Sequence, residues 1–213
     1  MKAPRLIAIS DLDAVGTEAT LERARLLCSS CRPGTVLLQL RERSLAARSL
    51  LQIGRALSEL CAQTGQTLAV NDRLDVALSL RVDAVHLGER SVRVSDARRL
   101  LPDAFVYTAA HDAEAVLSSD ADAVVLAPVM APRKGAPALG LEVLTGLRHA
   151  LGARTTDTLS ARPRAPLLFA LGGITAQNAA ACLSAGADGV AAQGAVWQGD
   201  AWRALCEALE IQK

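Results

Sequence analysis

The sequence predicts one (β/α)8 barrel occupying residues 1–213 as a single domain. Short runs rich in Val, Leu and Ile recur eight times, each followed by a stretch with helical apolar spacing. The runs are almost continuously apolar, as strands of a parallel sheet covered on both faces must be. No glycine fingerprint follows the first run in "AISDLDAVGT", where a doubly wound dinucleotide-binding sheet would carry one.

In chain order, the strands are expected at 5–10, 34–40, 67–71, 83–88, 104–109, 122–127, 166–171 and 188–193. Helical spacing falls at 18–30, 45–64, 73–80, 93–101, 111–118, 140–151, 175–185 and 198–210, with Pro102, Pro128, Pro163 and Gly186 at breaks between elements. "VDAVHLG", "ADAVVLAP" and "ADGVAAQG" each place an Asp between a helix end and a strand, an echo expected of repeated βα units. Two segments leave the rhythm: a Pro/Gly-rich loop at 128–139 and a polar linker at 152–165. Only the first follows a strand's C-terminal end, where barrels keep their chemistry.

Composition narrows the partners. With a net charge of +1 and 2% aromatic residues, the chain has neither the field nor the flat side chains of a nucleic-acid binder. No apolar run reaches the roughly 18 residues of a membrane span, and the N-terminus is too short and too soon interrupted for a signal peptide. Five cysteines, an odd number, fit a reducing cytoplasmic setting. Cys28 and Cys31 form a C-x-x-C with no second pair spaced to complete a zinc site, so the expectation is small residues at a helix end. Homo-oligomerisation is left open.

Polar residues gather where strands end, and in a barrel those ends share one mouth. They are Gln39, Arg41 and Arg43 after the second strand, Asn71 and Asp72 after the third, and His86 and Glu89 around the fourth. His111 follows the fifth, Arg133 and Lys134 the sixth, Gly172 and Gly173 the seventh, and Gly194 the eighth. Asp72 has three readings: N-cap of the helix that starts at Arg73, partner of the rim arginines, or metal ligand. His86, inside a strand, is expected as a hydrogen-bonded core residue. Arg41, Arg43, Arg133 and Lys134 concentrate positive charge at one mouth, and the glycine turns of "ALGGIT" and "AAQGAV" supply backbone N–H groups. Together they point to a small phosphorylated ligand.

Six segments in order, "LLQLRERS", "LAVNDRLDVAL", "DAVHLGE", the Pro-rich loop with Lys134, "FALGGITAQN" and "SAGADGVAAQGAV", resemble the thiamine phosphate synthase family and its relatives, the thiazole tautomerases. The resemblance covers about residues 5–200 and implies a (β/α)8 barrel. For a synthase it implies coupling of a hydroxymethylpyrimidine diphosphate to a thiazole ethyl phosphate with release of pyrophosphate. Gln39, Arg41 and Arg43 would then hold the pyrimidine and its diphosphate, with Asn71 on the diphosphate and Asp72 on Mg²⁺. Lys134 would meet the departing pyrophosphate, and Gly173 with the Gly194 and Ala195 amides would hold the thiazole phosphate.

The sequence also departs from the synthase pattern. Ser91 stands where a second metal carboxylate is usual, Ala109 and Gly194 where hydroxyls are, and "APRK" replaces a threonine-bearing approach to the loop lysine. A serine is the poorer magnesium ligand. On that ground the sequence favours a metal-independent, tautomerase-like proton transfer on a thiazole phosphate, with His111 as acid–base and Lys134 beside it. Its alternatives are a divergent synthase and a non-catalytic phosphate-ligand binder. No cofactor is fixed, and Mg²⁺ enters only if the chemistry is the synthase's.

Overall fold

Eight parallel strands close on themselves in sequence order, each paired with the next and β8 with β1, in a computed structural model that describes residues 3–133, 135–152 and 165–213. The strands are β1 (Leu6–Ile9), β2 (Val36–Leu40), β3 (Thr67–Asn71), β4 (Ala84–Leu87), β5 (Phe105–Ala110), β6 (Ala123–Leu126), β7 (Leu167–Leu171) and β8 (Gly189–Ala192). Nearly every strand residue is buried. That burial explains the continuous apolar runs: one set of side chains faces the barrel axis and the other faces the helices.

The two sets form separate clusters. Ile7, Leu37, Ala69, Tyr107, Val125, Phe169 and Ala191 fill the barrel, with Tyr107 tilted against Phe105 and Phe169 at 5.0 and 5.7 Å between centroids. Leu6, Leu38, Val70, Val85, Val106, Val124 and Leu168 pack outward beneath the helices.

The helices are α1 (Leu12–Val15), α2 (Thr17–Ser30), α3 (Ala47–Thr64), α4 (Leu74–Leu80), α5 (Val94–Leu100), α6 (Ala113–Leu117), α7 (Gly140–Leu151), α8 (Ala176–Ser184), α9 (Gly194–Trp197) and α10 (Ala201–Ala208). All eight expected strands are present. The four-residue helices α1 and α9 are additions, because one turn of helix gives no periodicity to read. The stretch expected as one helix at 198–210 is α10 alone, preceded by Gly199 at φ +56° and by Asp200.

The recurring aspartates are structural in two cases out of three. Asp122 accepts from the Val106 amide at 2.8 Å and from Arg98 of α5 at 3.2 Å, tying α5 to β5 and the entry of β6. Asp188 repeats the device one double unit later, accepting from the Leu168 amide at 2.8 Å and from Arg148 of α7 at 2.7 Å. Asp83 contributes its backbone, its carbonyl accepting from the Phe105 amide at 2.8 Å. The polar linker lies outside the described residues except at its two ends.

Candidate active site

A cavity of about 960 Å³ opens at the C-terminal end of the barrel. Its floor takes one side chain from the end of each strand. Gln39, Asn71, His86 and Gln193 make the polar part, on the β2 to β4 side and after β8; Ile9, Ala109, Ala127 and Leu171 make the apolar part. Arg41, Arg43, Arg73, Arg90 and Arg133 stand around the rim, and Pro128, Pro137 and Leu139 wall one side.

The strand ends thus bring Gln39, Arg41, Arg43, Asn71, Asp72, His86, Glu89, His111 and Arg133 to one cavity, as the sequence led us to expect. Lys134 lies outside the described residues. Gly172 and Gly173 follow β7, while Gly194 and Ala195 open α9 after β8, and β7 and β8 are neighbours in register from Phe169↔Gly189 to Leu171↔Ala191. The glycine of "AAQGAV" is therefore the first residue of a one-turn helix rather than part of a turn. As its first two residues, Gly194 and Ala195 have no acceptor within the helix for their N–H groups.

Asp72 corrects two expectations. It does not cap α4: the cap position is Arg73, without a side-chain bond. It forms no ion pair with a rim arginine either; among the described residues the Arg73 pairing is with Asp75, at 2.6 Å. The reason is local geometry, since Asp72 has φ +61° and its carboxylate turns across to the β4 side. There it accepts from the Gly88 amide at 2.8 Å, from the Ser91 hydroxyl and from the Asn71 carboxamide at 2.6 Å. Burial would raise its pKa, but these donors, led by Ser91 and the Gly88 amide, together with nearby His86, hold it below the ordinary carboxylate value. Left-handed backbone at a non-glycine residue costs on the order of 1 kcal/mol, which this network offsets.

The metal question turns on that network. Among the described residues, Oδ1 accepts from Gly88 and Ser91 and Oδ2 only from Asn71, so one lone pair remains for a cation. No group of three or more His, Cys, Asp or Glu side chains forms a protein-only cage among the described residues. Mg²⁺ commonly takes one or two carboxylates, with waters and substrate phosphates completing the shell, so the lone Asp72 fits an ion that arrives with a diphosphate.

Arg41 is the most enclosed of the rim cations. Burial, then repulsion from Arg43 and Arg133, lowers its pKa from the usual arginine value, and it remains charged. An anion between these three guanidiniums relieves that repulsion. Glu42, between Arg41 and Arg43, went unnoticed in the sequence; it is buried and accepts from Ser10 Oγ at 2.6 Å and the Leu12 amide at 3.2 Å, fixing the turn into α1. Gln193 was also missed, and its Nε2 donates to the Ser10 carbonyl at 3.2 Å.

His111 donates from Nδ1 to the Ala127 carbonyl at 2.7 Å, which turns Nε2 toward Glu89 Oε2 at 3.8 Å. His86 is a different histidine. It is enclosed in the floor, and its Nδ1 has no hydrogen-bond partner, contrary to the expectation of a bonded core residue. Burial pushes its pKa down to about 4, against a raising influence from Asp72, so it is neutral at pH 7. In the unfolded chain the ring binds a proton near pH 6.5 and in the folded chain only near pH 4, so stability is lost as pH falls through that window. Urea unfolding at pH 7.5 and pH 5 should differ by roughly 2 kcal/mol from this residue. His86→Gln should flatten the difference; an unchanged slope would remove His86 as its source.

The loop at 128–139 is held to this mouth at its base. The Val129 and Met130 amides donate to the Leu171 and Gly172 carbonyls at 2.8 Å, while Arg133 and Ala136 close a tight tip. Gly172 and Gly173, at φ +100° and +72°, accommodate the close pass of this loop.

A closed (β/α)8 barrel is shared by many enzymes, and fold likeness alone does not choose among them. Thiamine phosphate pyrophosphorylase from Pyrococcus furiosus superposes with a TM-score of 0.80 at 24% identity, covering 97% of this chain and 95% of that one. Orotidine 5'-phosphate decarboxylase from Pyrococcus horikoshii shares the fold too, with a TM-score of 0.60 at 15% identity over 96% and 99% of the two chains. Sequence similarity is more selective. The thiamine-phosphate synthase of Methanoculleus marisnigri is 36% identical over 193 residues, 85% of either chain. That of Methanoregula boonei is 33% identical over 198 residues, 90% of this chain and 84% of its own. A family model described as thiamine monophosphate synthase matches residues 6–196, which takes in all eight strands and the whole rim, and the chain belongs to that family.

Proposed function

We propose that this protein is a thiamine-phosphate synthase, joining a hydroxymethylpyrimidine diphosphate to a thiazole ethyl phosphate and releasing pyrophosphate. The observation that carries the reading is the 36% identity to a thiamine-phosphate synthase over 85% of both chains. The tautomerase-like proton transfer that the sequence favoured rested on Ser91 in place of a carboxylate, and it takes second place. Ser91 is not a gap in the site, because its hydroxyl holds Asp72 ionised.

In this reading the diphosphate meets Asn71 and Arg41, Arg43 and Arg133, whose mutual repulsion it relieves, while the Gln39 carboxamide faces the pyrimidine from the floor. Mg²⁺, when bound with the diphosphate, would be held by Asp72 and would neutralise charge on the departing pyrophosphate. Lys134, next in sequence to Arg133, is assigned to the same leaving group. The thiazole phosphate takes the N–H groups of Gly173, Gly194 and Ala195. Ala109, Ala127 and Leu171 of the floor, with Pro128 and Leu139 of the wall, keep water from the carbon that loses its diphosphate oxygen and gains the thiazole nitrogen.

The test is product. Incubation with both substrates and Mg²⁺ should yield thiamine phosphate by mass, with one pyrophosphate per product. Absence of product, or aromatisation of a carboxythiazole phosphate instead, would overturn the proposal.

A further inference from the structure

The Cys28 and Cys31 thiols of the C-x-x-C take different hydrogen-bond partners. Cys28 bonds to Cys61 of α3, while Cys31 Sγ lies 3.6 Å from Cys206 Sγ of α10. All of these cysteines are buried and reduced. They lie where α2 ends and the chain terminus returns, away from the residues that line the cavity.

We propose that Cys31 and Cys206 are a redox modification site, a thiol pair that closes to a disulfide under peroxide and fastens the C-terminal helix to α2. The backbone keeps the pair facing. On one side of Cys31 the Ser30 carbonyl accepts from the Lys213 amide at 3.0 Å; on the other the Arg32 amide donates to the Ile211 carbonyl at 2.8 Å. Cys31 itself bridges antiparallel to Gln212, and the Arg32 guanidinium donates to the Glu210 and Gln212 carbonyls. The sulfurs must close from 3.6 Å to about 2.05 Å, a small rotation of two side chains between elements already tied together.

The two sulfurs are also unequal. The hydrogen bond shared with Cys206, then the positive charge of Arg32 and Lys213, lowers the Cys31 pKa although burial opposes it. The same shared hydrogen bond and burial push Cys206 the other way. Cys31 is therefore the attacking thiolate. It displaces hydroxide from hydrogen peroxide to give a sulfenic acid. Cys206 then attacks the Cys31 sulfur, losing its proton as water leaves, so that two thiols and one peroxide become one disulfide and two waters. Both thiols are enclosed at rest, so oxidation requires local opening of the segment at 209–213 to admit peroxide.

The experiment treats the intact protein with hydrogen peroxide, blocks remaining thiols and maps linked peptides by mass. We expect loss of two hydrogens, thiols titratable in denaturant falling from five to three, and a linked pair containing Cys31 and Cys206, reversed by dithiothreitol. The oxidised form should melt roughly 5 °C or more above the reduced one, because the bond closes a loop around nearly the whole barrel. Cys206→Ala should abolish the linkage and Cys61→Ala should keep it. A link from Cys28 to Cys31 or to Cys61, a link between molecules, or no link in folded protein would each overturn the proposal. Mapping the unmodified sequence decides the matter even if a variant folds poorly.

Discussion

Asp72→Asn is expected to lower kcat/KM for thiamine phosphate formation by at least about a hundredfold while moving Tm by no more than about 3 °C. The substitution is nearly isosteric. An amide at 72 keeps its oxygen for the Gly88 and Ser91 donors, and Asn71 has only to turn its carboxamide to present oxygen instead of nitrogen. What disappears is the negative charge, which three donors now keep below the ordinary carboxylate pKa. The loss should fall on kcat. Removing the carboxylate beside Arg41 strengthens that cation's pull on the diphosphate, which offsets in KM the binding lost with the Mg²⁺ ligand. A loss under tenfold, or one carried by KM alone, would remove Asp72 from the chemistry.

Gly173→Ala should destabilise the protein by about 2–4 kcal/mol, or roughly 5–15 °C in Tm. A Cβ there would lie 2.8 Å from the Ala131 amide nitrogen and collide with the Ala131 side chain, at a φ of +72° that alanine resists. The loop at 128–131 would have to retreat, widening the wall that Pro128 provides, so the KM for thiazole phosphate should rise as well. Gly199→Ala separates the two causes, because Gly199 has φ +56° but nothing within 4 Å of its would-be Cβ. If both variants melt alike, the contact with the loop carries no weight.

How much of this was visible beforehand depended on whether a residue's role is local. Val36–Leu40 or Ala123–Leu126 announce themselves as buried strands because both faces demand apolar side chains. The same uniformity hides which side chains face the axis, so Ile9, Ala127 and Leu171 could not be read as cavity floor. Gln39, Arg41 and Asn71 were legible since a polar residue at a strand end stands out. Asp72 was found, but its cap and arginine-partner readings failed: its partners Gly88 and Ser91 sit on the next βα unit, reached through a left-handed turn that no spacing rule reports. Cys31 likewise takes a partner from the far end of the chain rather than its C-x-x-C neighbour.

A floor built from one side chain per strand makes the pocket modular. Each of the eight positions sits at or just past the end of its strand, above a barrel interior already filled by Tyr107, Phe169 and their neighbours. Exchanging a floor residue therefore redraws one sector of the ligand's outline without opening a hole in the packed layers below. Ala109 and Ala127 are the smallest of the eight and come from neighbouring strands β5 and β6, which leaves headroom there for a bulkier heterocycle. Reprogramming this barrel toward new aromatic acceptors is best begun at those two sockets.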